Sequence, residues 1–249
     1  PLSEARHLFI EHAKFRDMLE AHKEDPLIIW DIGLGSGAVA MAAVMEYEKI
    51  FSLNPQEKSV KIISFSKNTD AVKLAVKHQE LFYHTRHSAP GVLLRNGVWQ
   101  SDKYPIQWHL IESEIPEKIT ETFQPHCVFY NPFPFEKDKQ NYVTFRKIHA
   151  CSVPGGTKLY TAQNSTIVRG ELLAAGFYTG SIIVPVMNTE ITAAFTFHDT
   201  SESGIRLLGD EWLEGFIENI PHLSSNLSSI SLNELEKLVT VNPQFNHRK

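Results

Sequence analysis

The sequence is poor in cysteine and in long apolar segments. Its 249 residues include two cysteines, Cys127 and Cys151, which form neither a disulfide framework nor the ligand pattern of a metal site. The 12 histidines show no metal-ligand spacing either, so we expect no bound metal. The longest uninterrupted apolar run, residues 38–45, has eight residues, whereas a helix that spans a membrane needs about 20. We therefore expect a cytoplasmic protein in a reducing compartment, with no membrane partner.

The sequence also has no excess of positive charge. Lys and Arg number 24 and Asp and Glu number 29, which gives a formal net charge of −5. This balance argues against broad electrostatic binding of nucleic acid, although a local basic patch is compatible with it. Apolar residues make up 42% of the chain, a usual share for a globular protein. We expect a single domain over residues 1–249.

Apolar runs alternate with helical patterns along the first three quarters of the chain. A strand that is buried on both faces is predicted at 27–32, and further strands are predicted at 60–65, 107–111, 127–130 and 157–160. Two further strands, at 178–184 and 191–197, follow one another without a helix between them and predict an antiparallel pair. The expected fold is α/β, with a doubly wound, mostly parallel sheet of seven strands and a terminal antiparallel strand. An N-terminal helix (1–25) precedes this Rossmann-like core (26–200), and a helical tail (201–249) follows it.

Two short patterns give local predictions. Asn96-Gly97 lies between apolar residues and predicts a two-residue hairpin turn within residues 92–99. Ser231 and Glu234 have the spacing of a capping box and predict the start of a last helix.

The sequence Asp-Ile-Gly-Leu-Gly-Ser-Gly at 31–37 lies between a predicted strand and a predicted helix. Gly33, Gly35 and Gly37 allow a tight turn and close approach of a ligand, and the helix start offers free N–H groups. A purely structural turn is one alternative, and Gly33, Gly35 and Ala38 also match a dinucleotide fingerprint. Asp31 disfavours a pyrophosphate by charge but suits the cationic sulfonium and amino-acid part of S-adenosylmethionine.

The same motif resembles the first motif of Rossmann-like S-adenosylmethionine-dependent methyltransferases. Further segments resemble the methyltransferase domain of the MnmC-type tRNA wobble-uridine enzymes and their stand-alone relatives: Ile-Ser-Phe-Ser at 63–66, Tyr-Asn-Pro-Phe at 130–133, Leu-Tyr-Thr-Ala at 159–162, Val-Arg at 168–169 and Leu-Leu-Ala-Ala-Gly-Phe at 172–177. The resemblance covers residues 26–197. It implies methyl transfer from S-adenosylmethionine to the exocyclic aminomethyl nitrogen of a modified uridine in the anticodon loop of tRNA.

The resemblance also implies cofactor contacts beyond the glycine motif. The second strand of the family usually ends in an acid that binds the ribose hydroxyls, but Ser66 stands there in this chain. Asn68 can supply part of that contact because its side chain can accept a hydroxyl hydrogen bond. Glu114 lies where the family has a group near the adenine amine, although a solvated loop acid is the alternative.

Asn131, Pro132 and Phe133 are the implied catalytic residues, and Asn131 also borders the cofactor. The family has Asp before Pro-Phe, so Asn131 removes a proton acceptor, and a general base contributes roughly 10²–10⁴-fold. The three residues also resemble the Asn-Pro-Pro-aromatic motif of enzymes that methylate planar amines, in which positioning of the amine replaces a base. A simple chain turn after the strand is the alternative.

Other functions stay open at this stage. An amine methyltransferase with another acceptor fits the same residues. A catalytically silent S-adenosylmethionine-binding protein is favoured if Ser66 and Asn131 are both losses. A nicotinamide-dependent oxidoreductase is the weakest alternative, because no acid follows the second strand to bind an adenosine ribose.

Overall fold

The computed structural model describes residues 1–21, 26–54, 58–113, 123–132, 141–198, 204–222 and 230–245. The chain divides into two compact units, Pro1–Phe133 and Pro134–Lys249. Within the described ranges, every helix is too short or too polar to cross a membrane. The single-domain organisation stays a prediction.

The first unit has a sheet of five strands in the order β3-β4-β2-β1-β5. Their bounds are β1 Leu27–Ile32, β2 Val60–Ser66, β3 Val98–Gln100, β4 Ile106–Glu112 and β5 Cys127–Tyr130. β1 is parallel to both β2 and β5, and β2 is parallel to β4, whereas β3 is antiparallel to β4. All six residues of β1 are buried, as expected of a parallel strand with neighbours on both sides. The carboxyl ends of β1, β2, β4 and β5 therefore lie along one edge.

The helices of the first unit follow the predicted alternation. Their bounds are α1 Leu2–Ala5, α2 Phe15–Ala21, α3 Ala38–Leu53, α4 Asp70–Lys77 and α5 Ser88–Asn96, with a π-helical turn at Arg6–Ile10 and a 3₁₀ turn at Tyr83–Arg86. α3 buries most of its alanine-rich first half, because small side chains let a helix approach the sheet closely.

The second unit contains four strands in the order β6-β8-β7-β9. They are β6 Lys158–Thr161, β7 Tyr178–Val184, β8 Thr189–Phe195 and β9 Arg206–Leu207, and every pairing among them is antiparallel. The helices are α6 Asn141–Ala150, α7 Thr166–Ala174, α8 Asp210–Asn219 and α9 Leu232–Thr240, with 3₁₀ turns at Pro185–Met187, Ile220–His222 and Pro243–Phe245.

Within the second unit, buried side-chain amides bond the C-terminal tail to α7, β7 and the residues between them. Asn242 Nδ2 donates to the carbonyls of Leu173 and Phe177 at 2.7 and 3.1 Å. Gln244 bonds both the N–H and the carbonyl of Thr179, at 2.6 and 2.8 Å. The predicted cap of α9 is present, since Ser231 Oγ accepts the Glu234 N–H at 3.2 Å.

The α/β class and the antiparallel pair of β7 and β8 are confirmed, but the strand count is not. The described residues form nine strands rather than seven. The two additional strands, β3 and β9, have three and two residues. Segments this short carry no readable alternation, and pairing with a neighbour alone makes them strands.

Three local predictions were wrong. The Asn96-Gly97 pattern ends helix α5 instead of turning a hairpin: Gly97 has φ +72° and its N–H donates to the Leu93 carbonyl at 2.8 Å. A glycine with positive φ serves a helix C-terminus as well as a hairpin turn. The N-terminal helix is interrupted where Lys14 takes φ +47°, and the helix that the sequence pattern predicts from Asp70 to about Tyr83 ends at Lys77.

Candidate functional site

The loops after β1 and β5 touch each other at the carboxyl edge of the first unit. Gly33 N–H donates to the Phe65 carbonyl at 3.1 Å, and Asn131 N–H donates to the Ile32 carbonyl at 2.8 Å. Gly33 has φ +100°, and a Cβ placed on it would lie 2.3 Å from the backbone oxygen of Asn131 and 2.6 Å from Pro132 Cα. Only glycine fits this contact. The structure therefore brings together the turn at 33–37 and the Asn131-Pro132 pair.

Gly35 has free space beside it, whereas Gly33 has none. Gly35 has φ +51°, and the nearest atom to a Cβ built there is the Gly33 carbonyl oxygen, 3.9 Å away. Gly37 has φ +77° and is the N-cap of α3, with no side chain bonded at that cap. The first N–H groups of α3 are thus available to an electron-rich ligand group.

Asp31 is a buried carboxylate at the end of β1, 1% exposed. Its Oδ2 accepts a hydrogen bond from Ser64 Oγ at 2.6 Å, and Ser64 Oγ in turn accepts one from Trp108 Nε1 at 2.8 Å. Its Oδ1 has no hydrogen-bond partner within the described ranges. Burial raises the pKa of Asp31 to about 6, and the Ser64 hydrogen bond opposes this rise. The site thus holds a carboxylate oxygen that a cation or a donor would satisfy.

The polar residues after β2 bond mainly to their own loop. Ser66 Oγ donates to the Asn68 carbonyl at 2.7 Å, and Asn68 Oδ1 accepts the Asp70 N–H at 2.6 Å, where α4 begins. Ser66 is in register with Glu112, the exposed last residue of β4. Paired residues of neighbouring strands point to the same face. Glu112 therefore places a carboxylate next to Ser66, which has no carboxylate of its own.

His84 supports the glycine turn from the 3₁₀ turn that precedes α5. Its Nε2 lies 3.0 Å from the Ser36 carbonyl oxygen. A carbonyl only accepts, so Nε2 carries the hydrogen of this bond. The ring is 2% exposed, and burial lowers the pKa of His84. His84 therefore holds the turn as a neutral donor.

Sequence reasoning missed His84, Ser64 and Trp108. Ser64 was detectable in principle, because it is a hydroxyl between two apolar residues of β2, Ile63 and Phe65. His84 and Trp108 carried no such signal. Two predicted site residues, Glu114 and Phe133, lie outside the described residues. Over the ranges that the structure does describe, no group of three or more His, Cys, Asp or Glu residues is arranged to hold a metal.

Solved structures share this fold. MnmC2 from Aquifex aeolicus is similar with a TM-score of 0.63 and 17% sequence identity, over 95% of this chain and 74% of that chain. A probable spermidine synthase from Corynebacterium glutamicum is similar with a TM-score of 0.50 and 11% identity, over 99% of this chain and 80% of that chain. No protein-family model and no curated protein matches the sequence. At these identities the likeness establishes the fold alone, an α/β fold with a central, mostly parallel sheet. Function depends on the site.

Proposed function

We propose that this protein is an S-adenosylmethionine-dependent methyltransferase that acts on the exocyclic amine of a modified wobble uridine in a tRNA anticodon loop. The observation that carries the proposal is the contact between Gly33 and the Asn131 backbone oxygen. Because the two loops touch, a cofactor over the glycine turn and an amine held by Asn131 would be neighbours. Methyl transfer needs this proximity.

The turn and Asp31 fit the cofactor. Open space at Gly35 allows the backbone to approach a bound ligand. The ionised carboxylate of Asp31 favours the sulfonium and ammonium groups by charge, and the N–H groups at the start of α3 suit the carboxylate of the methionyl part. When bound, S-adenosylmethionine supplies a methyl group on a positively charged sulfur.

The end of β2 and the neighbouring loops would hold the adenosine. Ser66 and Asn68 each retain capacity for a ribose hydroxyl. Glu112, in register with Ser66, adds the carboxylate acceptor that the second strand lacks, and Glu114 is proposed near the adenine amine. A carboxylate that accepts a hydroxyl hydrogen bond binds more strongly than a neutral oxygen.

Asn131 would orient the target amine. Its side-chain oxygen and the Pro132 carbonyl can each accept an amine N–H, which directs the nitrogen lone pair toward the methyl group. Phe133 would pack on the planar base, as aromatic side chains do in RNA recognition. Asn131 cannot take a proton, so the amine must arrive neutral and catalysis rests on positioning.

Calorimetric titration with S-adenosylmethionine, S-adenosylhomocysteine and NAD tests the cofactor, and methyl transfer to tRNA from cells lacking the modification tests the substrate. We expect Gly35→Ala to weaken binding of both adenosyl ligands at least tenfold, because the added methyl enters the open space beside the turn. Gly97→Ala is the matched control, since Gly97 also has positive φ and nothing within 4 Å of an added Cβ. Binding of NAD alone, or equal affinity of parent and Gly35→Ala, contradicts the proposal.

A catalytically silent S-adenosylmethionine-binding protein is the second candidate. It is favoured by the absence of a carboxylate at both Ser66 and Asn131, and by the Ser66 hydroxyl donating its hydrogen to its own loop. Binding of both adenosyl ligands with no transfer to undermodified tRNA would select this candidate.

A further inference from the structure

A chain of three buried side chains lies beneath the glycine turn. Trp108 Nε1 donates to Ser64 Oγ, and Ser64 Oγ donates to Asp31 Oδ2. Ser64 and Trp108 are fully buried. Since the indole N–H occupies one lone pair of the hydroxyl oxygen, it favours the hydroxyl orientation that points at the carboxylate. A hydrogen bond of 2.6 Å to a carboxylate favours its ionised form.

Within the described part of the chain, no charged side chain is seen to shift the pKa of Asp31. Burial raises the pKa of Asp31, and the Ser64 hydrogen bond opposes this rise. Lys61 and His109, on β2 and β4, lie on the opposite face of the sheet by strand alternation. Glu112 shares the face of Asp31 but is exposed at the end of β4, and His84 contacts the turn at Ser36 as a neutral ring.

Trp108 also contacts the helix that follows the turn. A Cβ built on Gly37, the N-cap of α3, would lie 3.3 Å from the Trp108 Cη2 atom, so the indole lies directly beside the start of the helix. One indole thus supports both the Ser64 hydroxyl and the start of α3. The carboxylate and the helix N-terminus, the two charged features of the turn, are positioned by the same side chain.

We propose that Ser64 and Trp108 are positioning residues that set the pH range in which this site binds a cationic adenosyl cofactor, by stabilising the ionised form of Asp31. The inference rests on the proposed function for the identity of the ligand. Ionised Asp31 attracts a sulfonium and an ammonium, whereas protonated Asp31 does not. Binding of the cation at acidic pH must therefore release the Asp31 proton, and affinity must fall as the pH falls.

A comparison of two ligands distinguishes protonation of Asp31 from a general loss of folded protein at acidic pH. S-adenosylmethionine carries the sulfonium charge, and S-adenosylhomocysteine is the same molecule without the methyl group and that charge. We expect S-adenosylmethionine to lose affinity more steeply between pH 8 and pH 5. Calorimetry in two buffers of different ionisation enthalpy should show proton release for S-adenosylmethionine near pH 6.

Ser64→Ala is the decisive variant. It removes the hydrogen bond to Oδ2, so we expect the Asp31 titration, followed by carbon NMR in the ligand-free protein, to move to higher pH. Affinity for S-adenosylmethionine at pH 6 should fall about tenfold, with less than about a twofold change at pH 8.5. Trp108→Phe should act in the same direction with a smaller effect. Thr157→Val is the control, since it removes a buried hydroxyl that accepts the Val153 N–H in the second unit.

The results distinguish failure of the role of Ser64 from failure of the proposed function. The role of Ser64 is overturned if parent and Ser64→Ala show the same Asp31 titration and the same pH dependence of affinity. This holds even if S-adenosylmethionine binds. If neither adenosyl ligand binds the folded parent, the proposed function is overturned together with the pH-dependent binding. A shift of Thr157→Val as large as that of Ser64→Ala would also overturn the inference.

Discussion

The charge of Asp31 should reduce the stability of the folded protein, and Asp31→Asn should restore it. Burial raises the Asp31 pKa from 3.8 to about 6. A difference of one pKa unit corresponds to about 1.4 kcal/mol, so ionised Asp31 costs the folded state about 3 kcal/mol. Well below pH 3.8 the carboxyl is protonated in both states and the cost is absent. It develops between pH 4 and pH 6 and is complete above pH 6, because the folded state holds the proton more tightly.

Asn has nearly the shape of Asp without the charge. The free energy of unfolding of Asp31→Asn should therefore exceed that of the parent by up to about 3 kcal/mol at pH 8, by less than about 1 kcal/mol at pH 4, and by nothing well below pH 3.8. In a protein of this size, the melting temperature at pH 8 would rise by roughly 6–12 °C. The same variant should bind S-adenosylmethionine more weakly, which is the usual conflict between stability and function at a site.

Urea unfolding of parent and variant at pH 4, 6 and 8 measures this difference. Equal denaturant slopes would show that the unfolded states are comparable. The exposed Asp17 provides the control, and Asp17→Asn should change stability by less than about 0.5 kcal/mol at each pH. A stability difference for Asp31→Asn that does not change with pH, or a variant less stable than the parent at pH 8, would refute the reasoning.

Two further predictions concern Ser66 and Asn131. Ser66→Glu should tighten S-adenosylmethionine binding about five- to thirty-fold when combined with Glu112→Gln. The gain should be smaller when Glu112 is retained, because the two carboxylates would lie in register; calorimetry measures it, and no gain in either background contradicts the ribose assignment. Asn131→Ala should cut methyl transfer to undermodified tRNA sharply, whereas Asn131→Asp should preserve or raise it. Single-turnover rates at saturating cofactor test this, and equal rates for parent and Asn131→Ala would remove Asn131 from the mechanism.

The sequence alone determined the elements whose pattern is local and strong. The prediction of β5 at 127–130 and of β1 at 27–32 matches the structure residue for residue. β5 is a continuous apolar run, and β1 is one except for Asp31; turn residues bound both, so burial on both faces fixes them as strands. The glycine turn after β1 was predictable for the same reason, since a strand, three glycines and an alanine-rich helix follow one another within one segment.

Only the tertiary structure decided which distant residues meet and what they do there. The contact of Gly33 with Asn131 joins residues about 100 positions apart, and the hydrogen bonds from Trp108 through Ser64 to Asp31 join three strands. No local pattern encodes such contacts, because they depend on strand order and register. Asn96-Gly97 shows the same limit, since a left-handed glycine ends a helix or turns a hairpin equally well and the packing of the neighbouring residues selects between them.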